Sequence, residues 1–198
     1  MAIDAQLLRA AAGGDAPATR AALAGGAKVN ARGEGGRSAV LLATAGGHTS
    51  TVAALVEAGA DVNLRDDNLD SAFLLAGAQG NVEVLRLCAP TADPTVTNRF
   101  GGTALIPAAE RGHVEAVRFL LEHTRVDVNH VNNLGWTALL EAIVLSDGGA
   151  PHQEIVRLLL AHGADTSIAD HHGATPLVHA RAHGYTQMAR ILEAAGAR

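Results

Sequence analysis

Apolar positions along this chain fall into short blocks with helical spacing, and the blocks recur. The fullest is Gly135-Trp136-Thr137-Ala138-Leu139-Leu140-Glu141-Ala142, and five other segments, 7–10, 38–43, 71–76, 103–108 and 175–180, follow its plan. Their closing alanines, Ala10, Ala43, Ala76, Ala108, Ala142 and Ala180, stand 33, 33, 32, 34 and 38 residues apart. A steady period of this length marks stacked repeats, each too small to bury its own apolar face and each packing on its neighbours. Two helices are predicted per repeat. The first opens on a capping Ser such as Ser38 and stops at glycines such as Gly46-Gly47. The second starts at His48 and runs through Val52, Leu55 and Val56, after which Gly59-Ala60-Asp61-Val62-Asn63 turns the chain outward.

The repeats divide the chain into units of about 2–32, 33–65, 66–97, 98–131, 132–169 and 170–198 within one domain covering 1–198. In the first, Ile3, Leu7, Ala10 and Ala11 fall on one helical face, and the second helix carries Thr19 and Arg20 where later units are apolar. The last unit places Glu193 where earlier ones have Leu160, Leu121 and Val56. Polar outer faces of this kind suit the two exposed ends of an array. Three places break the pattern. The third unit ends on Ala89-Pro90-Thr91-Ala92-Asp93-Pro94, one residue short. Pro107 sits inside a first helix, where its missing N–H should bend or shorten the turn. The fifth unit carries extra residues at 146–151, between its two helices.

Composition narrows the classes. The chain is 48% hydrophobic but only 3% aromatic, which suits small side chains and closely packed helices. A net charge of -5 with no Lys/Arg run lacks the basic stripe of a nucleic-acid binder. No apolar run reaches the ~20 residues of a membrane span, and no leader pattern opens the chain, so a cytoplasmic, monomeric protein without membrane insertion is expected. Cys88 is the only cysteine and shares a column with Leu55, Leu120, Leu159 and Leu192, the place of a buried small hydrophobe.

Several marks recur in register: Gly-x-Thr-(Pro/Ala)-Leu, Gly-His between helices, Val-x-x-Leu-Leu, and Gly-Ala-Asp-Val-Asn. Together they resemble the ankyrin repeat family over essentially the whole chain. That resemblance implies an all-α repeat solenoid of six stacked helix-turn-helix units with projecting hairpin loops. It also implies a non-enzymatic, cofactor-free module that binds a protein partner through the hairpin tips and the concave first-helix face. One column departs from the family. The histidine that usually follows Thr-Pro-Leu is aliphatic throughout, at Leu8, Leu41, Leu74, Ile106, Leu140 and Val178. Apolar burial, at ~25 cal/mol per Å2, is the expected substitute for the Thr–His bonding that this removes.

Carried onto this sequence, the tips include Gly33, Glu34 and Arg37; Asp66, Asp67, Asn68 and Asp70; Arg99, Phe100 and Gly102; Asn133, Leu134 and Trp136; and His171, His172 and Ala174. Arg37, Asp70, Arg99, Phe100, Leu134, Trp136 and His172 are the candidate partner contacts, since Trp and Arg are enriched in interface hot spots. Trp136 could instead fold over its own hairpin. A second column, one before the repeated alanine, reads Arg9, Leu42, Leu75, Pro107, Glu141, His179, and makes Glu141 and His179 candidate neighbours on the concave face. They contact either a partner or each other. His179 and His183, four apart on one helix, also open a small-ligand or metal reading with Glu141, although no structural four-ligand set is completed. For His48, His113 and His152, structural hydrogen bonding is the expected role.

Overall fold

The computed structural model describes residues 2–198. Twelve α-helices lie among them: α1 (Ala2–Ala12), α2 (Ala16–Ala24), α3 (Ala39–Ala45), α4 (Thr49–Glu57), α5 (Ala72–Gln79), α6 (Val82–Cys88), α7 (Leu105–Glu110), α8 (Val114–His123), α9 (Ala138–Val144), α10 (Ala150–Ala161), α11 (Pro176–Ala182) and α12 (Thr186–Ala194). The chain forms a repeat solenoid of helix pairs. No strand is formed among the described residues; a single bridge between Arg32 and Ser38 is the whole of the extended pairing. The chain divides into two compact units, residues 1–76 with 81–99, and 77–80 with 100–198.

In the first unit α1 packs on α2 and α3, α3 on α4, and α4 on both α2 and α6. In the second, α7 packs on α8 and α9, α9 on α10 and α11, and α10 on α8 and α12. First helices therefore stack on first helices, and second helices on second. The aliphatic column sits inside this stack: Leu41, Leu74, Ile106 and Leu140 are all buried, whereas Val178, on the last first helix, is 50% exposed. Cys88 joins Leu55, Leu120, Leu159 and Leu192 at zero exposure, and burial pushes its thiol up to about 12.

Within each compact unit the repeats are started and tied together by side chains that the pattern supplies. Ser38, Ser71, Thr137 and Thr175 accept the N–H three residues on, at Leu41, Leu74, Leu140 and Val178, and so start α3, α5, α9 and α11. Nε2 of His48, His113 and His152 donates to the carbonyls of Ala12, Ala78 and Glu110, one repeat back. The structural role expected of these three histidines is what the geometry gives. Asp61, Asp93, Asp127 and Asp165 each accept the N–H two residues on, closing the turn after a second helix. Asn30, Asn63 and Asn129 accept the N–H of Asp61, Asp93 and Asp165, the same turn of the following repeat. At Asp93 this holds even though the proline-broken loop is one residue short.

The other two irregularities have physical outcomes. Without an N–H, Pro107 cannot bond the Thr103 carbonyl, which instead takes the Ile106 N–H at 3.3 Å. Helix α7 therefore begins one residue late and is six residues long against seven for α3, α9 and α11. The shortened turn expected from the sequence is present, and it strands the Thr103 hydroxyl, which is buried with no partner. The insertion is tied down rather than loose. Ser146 Oγ donates to Ile143 O and accepts from Gly148 N–H, and Gln153 Nε2 donates to Gly148 O. Tyr185, which stands where the second, fourth and fifth repeats have histidine, donates its hydroxyl to Ser146 O at 2.5 Å. A methyl group at Gly148 would run into the Tyr185 ring, so the loop and the phenol fill the same space.

Candidate functional site

Each hairpin tip is built on one residue. Asp66 Oδ1 accepts the N–H groups of Asn68 and Asp70; Asn132 Oδ1 accepts those of Leu134 and Trp136; Asp170 Oδ1 accepts those of His172 and Ala174. A short acceptor side chain thus folds the loop over itself, and the backbone bond from residue i to i+4 closes it at 66–70, 132–136 and 170–174. Adjacent tips within a unit are stitched by main chain: Asp67 N–H donates to Gly35 O, and Asn133 N–H to Phe100 O. The residues at the crests are held on a firm base.

The second atom of that base residue explains Glu141 and His179. Asn132 Nδ2 donates to Glu141 Oε1 at 2.7 Å, and His179 Nε2 donates to Asp170 Oδ2 at 2.8 Å. Each side chain is turned onto its own hairpin, nine residues upstream. The expected pairing of Glu141 with His179 does not occur. Glu141 is only 5% exposed, so it is a support beneath the tip and offers no surface. Burial raises its carboxyl to about 7, with repulsion from Glu110 adding to this and the Asn132 bond opposing it. Asp170 moves the other way, held at about 2 chiefly by the Ala174 N–H, with His179 and the His172 N–H assisting. His183 Nδ1 bonds its own helix at His179 O. Among the described residues no group of three or more His, Cys, Asp or Glu side chains is placed to hold a metal ion.

The tip candidates lie at the surface to differing degrees. Arg37, Arg99 and His172 are exposed, and Asp70 is half-buried. Phe100 and Leu134 are each 50% exposed, on adjacent stitched tips. Trp136 is half-buried, with its N–H on Asn132 Oδ1 and its carbonyl accepting the Asn132 N–H. Arg37 and Asp70 share an open cleft of about 380 Å3 in the first unit, together with Glu34, Asp66, Leu41 and Leu75.

Sequence reasoning passed over Leu69. It lies at φ 62°, 40% exposed, where the other tips have Gly36, Gly101, Gly135 and Gly173 at φ 70–78°. The signal was present as the one non-glycine in a glycine column. The nine-residue relation between base and support residues was also there to read, in the pairs Asp66–Leu75, Asn132–Glu141 and Asp170–His179.

The family model for ankyrin repeats in three copies matches residues 7–98 and again 73–170. An ankyrin repeat protein, YahD of Escherichia coli (strain K12), is 49% identical over 118 residues, which is 59% of this chain and 59% of that protein. The chain thus spans about three fifths of that relative in the match. Cyclin-dependent kinase 4 inhibitor B of Bos taurus is 42% identical over 50% of this chain and 71% of its own. The crystal structure of an ankyrin repeat domain from Acinetobacter baumannii AYE superposes with a TM-score of 0.94 at 50% identity, covering 97% of this chain and 98% of that one.

Proposed function

The chain belongs to the ankyrin repeat family, and on that premise we propose that it is a non-enzymatic module that binds a protein partner through its hairpin tips. The family generally mediates protein–protein interaction, and a kinase inhibitor is among the relatives. The observation that carries the reading is the pair Phe100 and Leu134, each 50% exposed on neighbouring crests joined by the Asn133–Phe100 backbone bond. Large apolar side chains on a rigid rim, in a chain with only 3% aromatic residues, suit a partner contact better than chance exposure. Arg99 and Trp136 flank them in sequence and supply the residue types that dominate interface energies.

The test is affinity capture from the native host with wild type, Trp136→Ala and Arg99→Ala, alongside thermal melts. The partner recovered by wild type should be lost from both variants while the melting temperature barely changes. A large stability loss without selective loss of the partner would place Trp136 in the packing of its own hairpin. No observation favours the small-ligand or metal alternative, since Glu141, His179 and His183 are each engaged within their own repeats.

A further inference from the structure

The tips built on Asp66, Asn132 and Asp170 share one turn and differ in what stands nine residues on: Leu75, Glu141 and His179. Only the second places a carboxyl there. Asn132 is the hub of its tip. Its Oδ1 holds the N–H groups of Leu134 and Trp136, its backbone bonds those of Trp136 and Gly135, and its Nδ2 reaches down to Glu141 Oε1 at 2.7 Å. Asn132 and Glu141 are 6% and 5% exposed, so the carboxyl lies beneath the hairpin and away from water.

Among the described residues no cation answers that carboxyl, and its one side-chain partner is the neutral amide of Asn132. Helices α7, α10 and α11 pack on α9. From α7, Glu110 repels Glu141. Arg111, just past α7, donates to Ala78 O, and His152 on α10 to the Glu110 carbonyl. Glu154 and Arg157 pair along α10, while on α11 His179 bonds Asp170 and Arg181 bonds Glu193. The hairpin itself, residues 132–136, carries no charge. A carboxylate in such a place gains by reaching water, and a neutral carboxyl gains far less. We propose that Glu141 is a positioning residue of the binding tip and works by its proton: the neutral carboxyl holds Asn132 and keeps 132–136 closed, and the carboxylate favours a lifted hairpin that lets water reach it. The inference rests on the reading of Leu134 and Trp136 as partner contacts and gives that surface a firmness set by protonation. A partner that needs the closed crest is favoured when Glu141 is protonated, and its binding favours the protonated form in return.

Solvent exchange of backbone amides, followed by NMR on the whole chain across the pH range and corrected for the intrinsic rate at each pH, reads the lifting. The closed tip keeps the Glu141 proton up to about 7, and a lifted tip that exposes the carboxyl keeps it only to the ordinary 4.5. Lifting therefore grows as pH rises between those values and levels off above them. Within that window, protection of the Leu134 and Trp136 amides should fall roughly tenfold per pH unit. The Asn68 and Asp70 amides, held on Asp66 with Leu75 at the support position, are the reference and should keep their protection. Glu141→Gln should hold the tip amides level throughout, at the protection wild type shows at the acid end. Glu110→Gln leaves the Asn132 bond in place and should bring the levelling-off to a lower pH. Flat protection at Leu134 and Trp136 in wild type, an equal fall at Asn68 and Asp70, or a fall that persists in Glu141→Gln overturns the proposal. Should Glu141→Gln fail to fold, an unmoved levelling-off in Glu110→Gln overturns it. No partner enters the measurement, so its failure leaves the Trp136 and Arg99 capture experiment standing. Failure of that capture withdraws the partner surface and does not alter the exchange profile.

Discussion

Leu69 carries backbone strain that its neighbours avoid. A left-handed conformation costs a residue with a side chain about 1–2 kcal/mol, and glycine nothing comparable. Leu69→Gly should therefore raise stability by about 1 kcal/mol, after allowing for the greater freedom of glycine in the unfolded chain, and this is read as a higher melting temperature. A lower midpoint would mean that packing by the leucine side chain outweighs the strain. Glu141 makes a second prediction at this scale. Its carboxyl rises from 4.5 to about 7 on folding, so the folded chain binds more protons than the unfolded one between those values. Stability accordingly falls as pH climbs through that window, and the loss is complete above about 7. Glu141→Gln keeps an acceptor for Asn132 and removes the charge. Melts at pH 3.5, below the window, should match wild type, and melts at pH 8 should favour the variant by up to about 3 kcal/mol. An equal difference at both pH values would mean that titration is not its source.

Among the elements, α7 is the one whose own sequence works against it. Pro107 falls within the first turn only because the helix gives up its first residue, and the cost is the buried, unpartnered Thr103 hydroxyl. Pro107→Ala restores an N–H for the Thr103 carbonyl and frees that of Ile106 to meet the hydroxyl, as happens at Ser38, Ser71, Thr137 and Thr175. An N-cap of this kind contributes about 1 kcal/mol. The variant should melt higher and show a slower-exchanging Ile106 amide; unchanged exchange there would mean that the start of α7 is set by something other than the proline. Helix α5 shows an opposite economy. A methyl at Gly77 would lie 2.7 Å from Ala104 O, so glycine in mid-helix is retained for close approach.

At the scale of the whole molecule, the period and the caps make the architecture legible in the sequence, because stacking, capping and turn chemistry are local and repeat in register. The roles of His48, His113, His152 and the Gly-Ala-Asp turns could be read for the same reason. Glu141 and His179 could not be placed by their column alone, since a column fixes a position on the helix and not which way a long side chain swings. Both swing onto a polar atom of their own hairpin, which a reading by column leaves out. The insertion was a length without a shape until Tyr185 was seen to hold it. That hold bears on how such an array changes over generations. Repeats are often treated as interchangeable beads, duplicated, lost or traded between genes. The last two beads here are not free to trade. A sixth repeat moved behind an ordinary fifth would bring a phenol with no loop to meet it, and a lengthened fifth joined to an ordinary sixth would leave its loop without the anchoring hydroxyl. The pair is expected to be inherited together, with any recombination breakpoint falling outside 146–185.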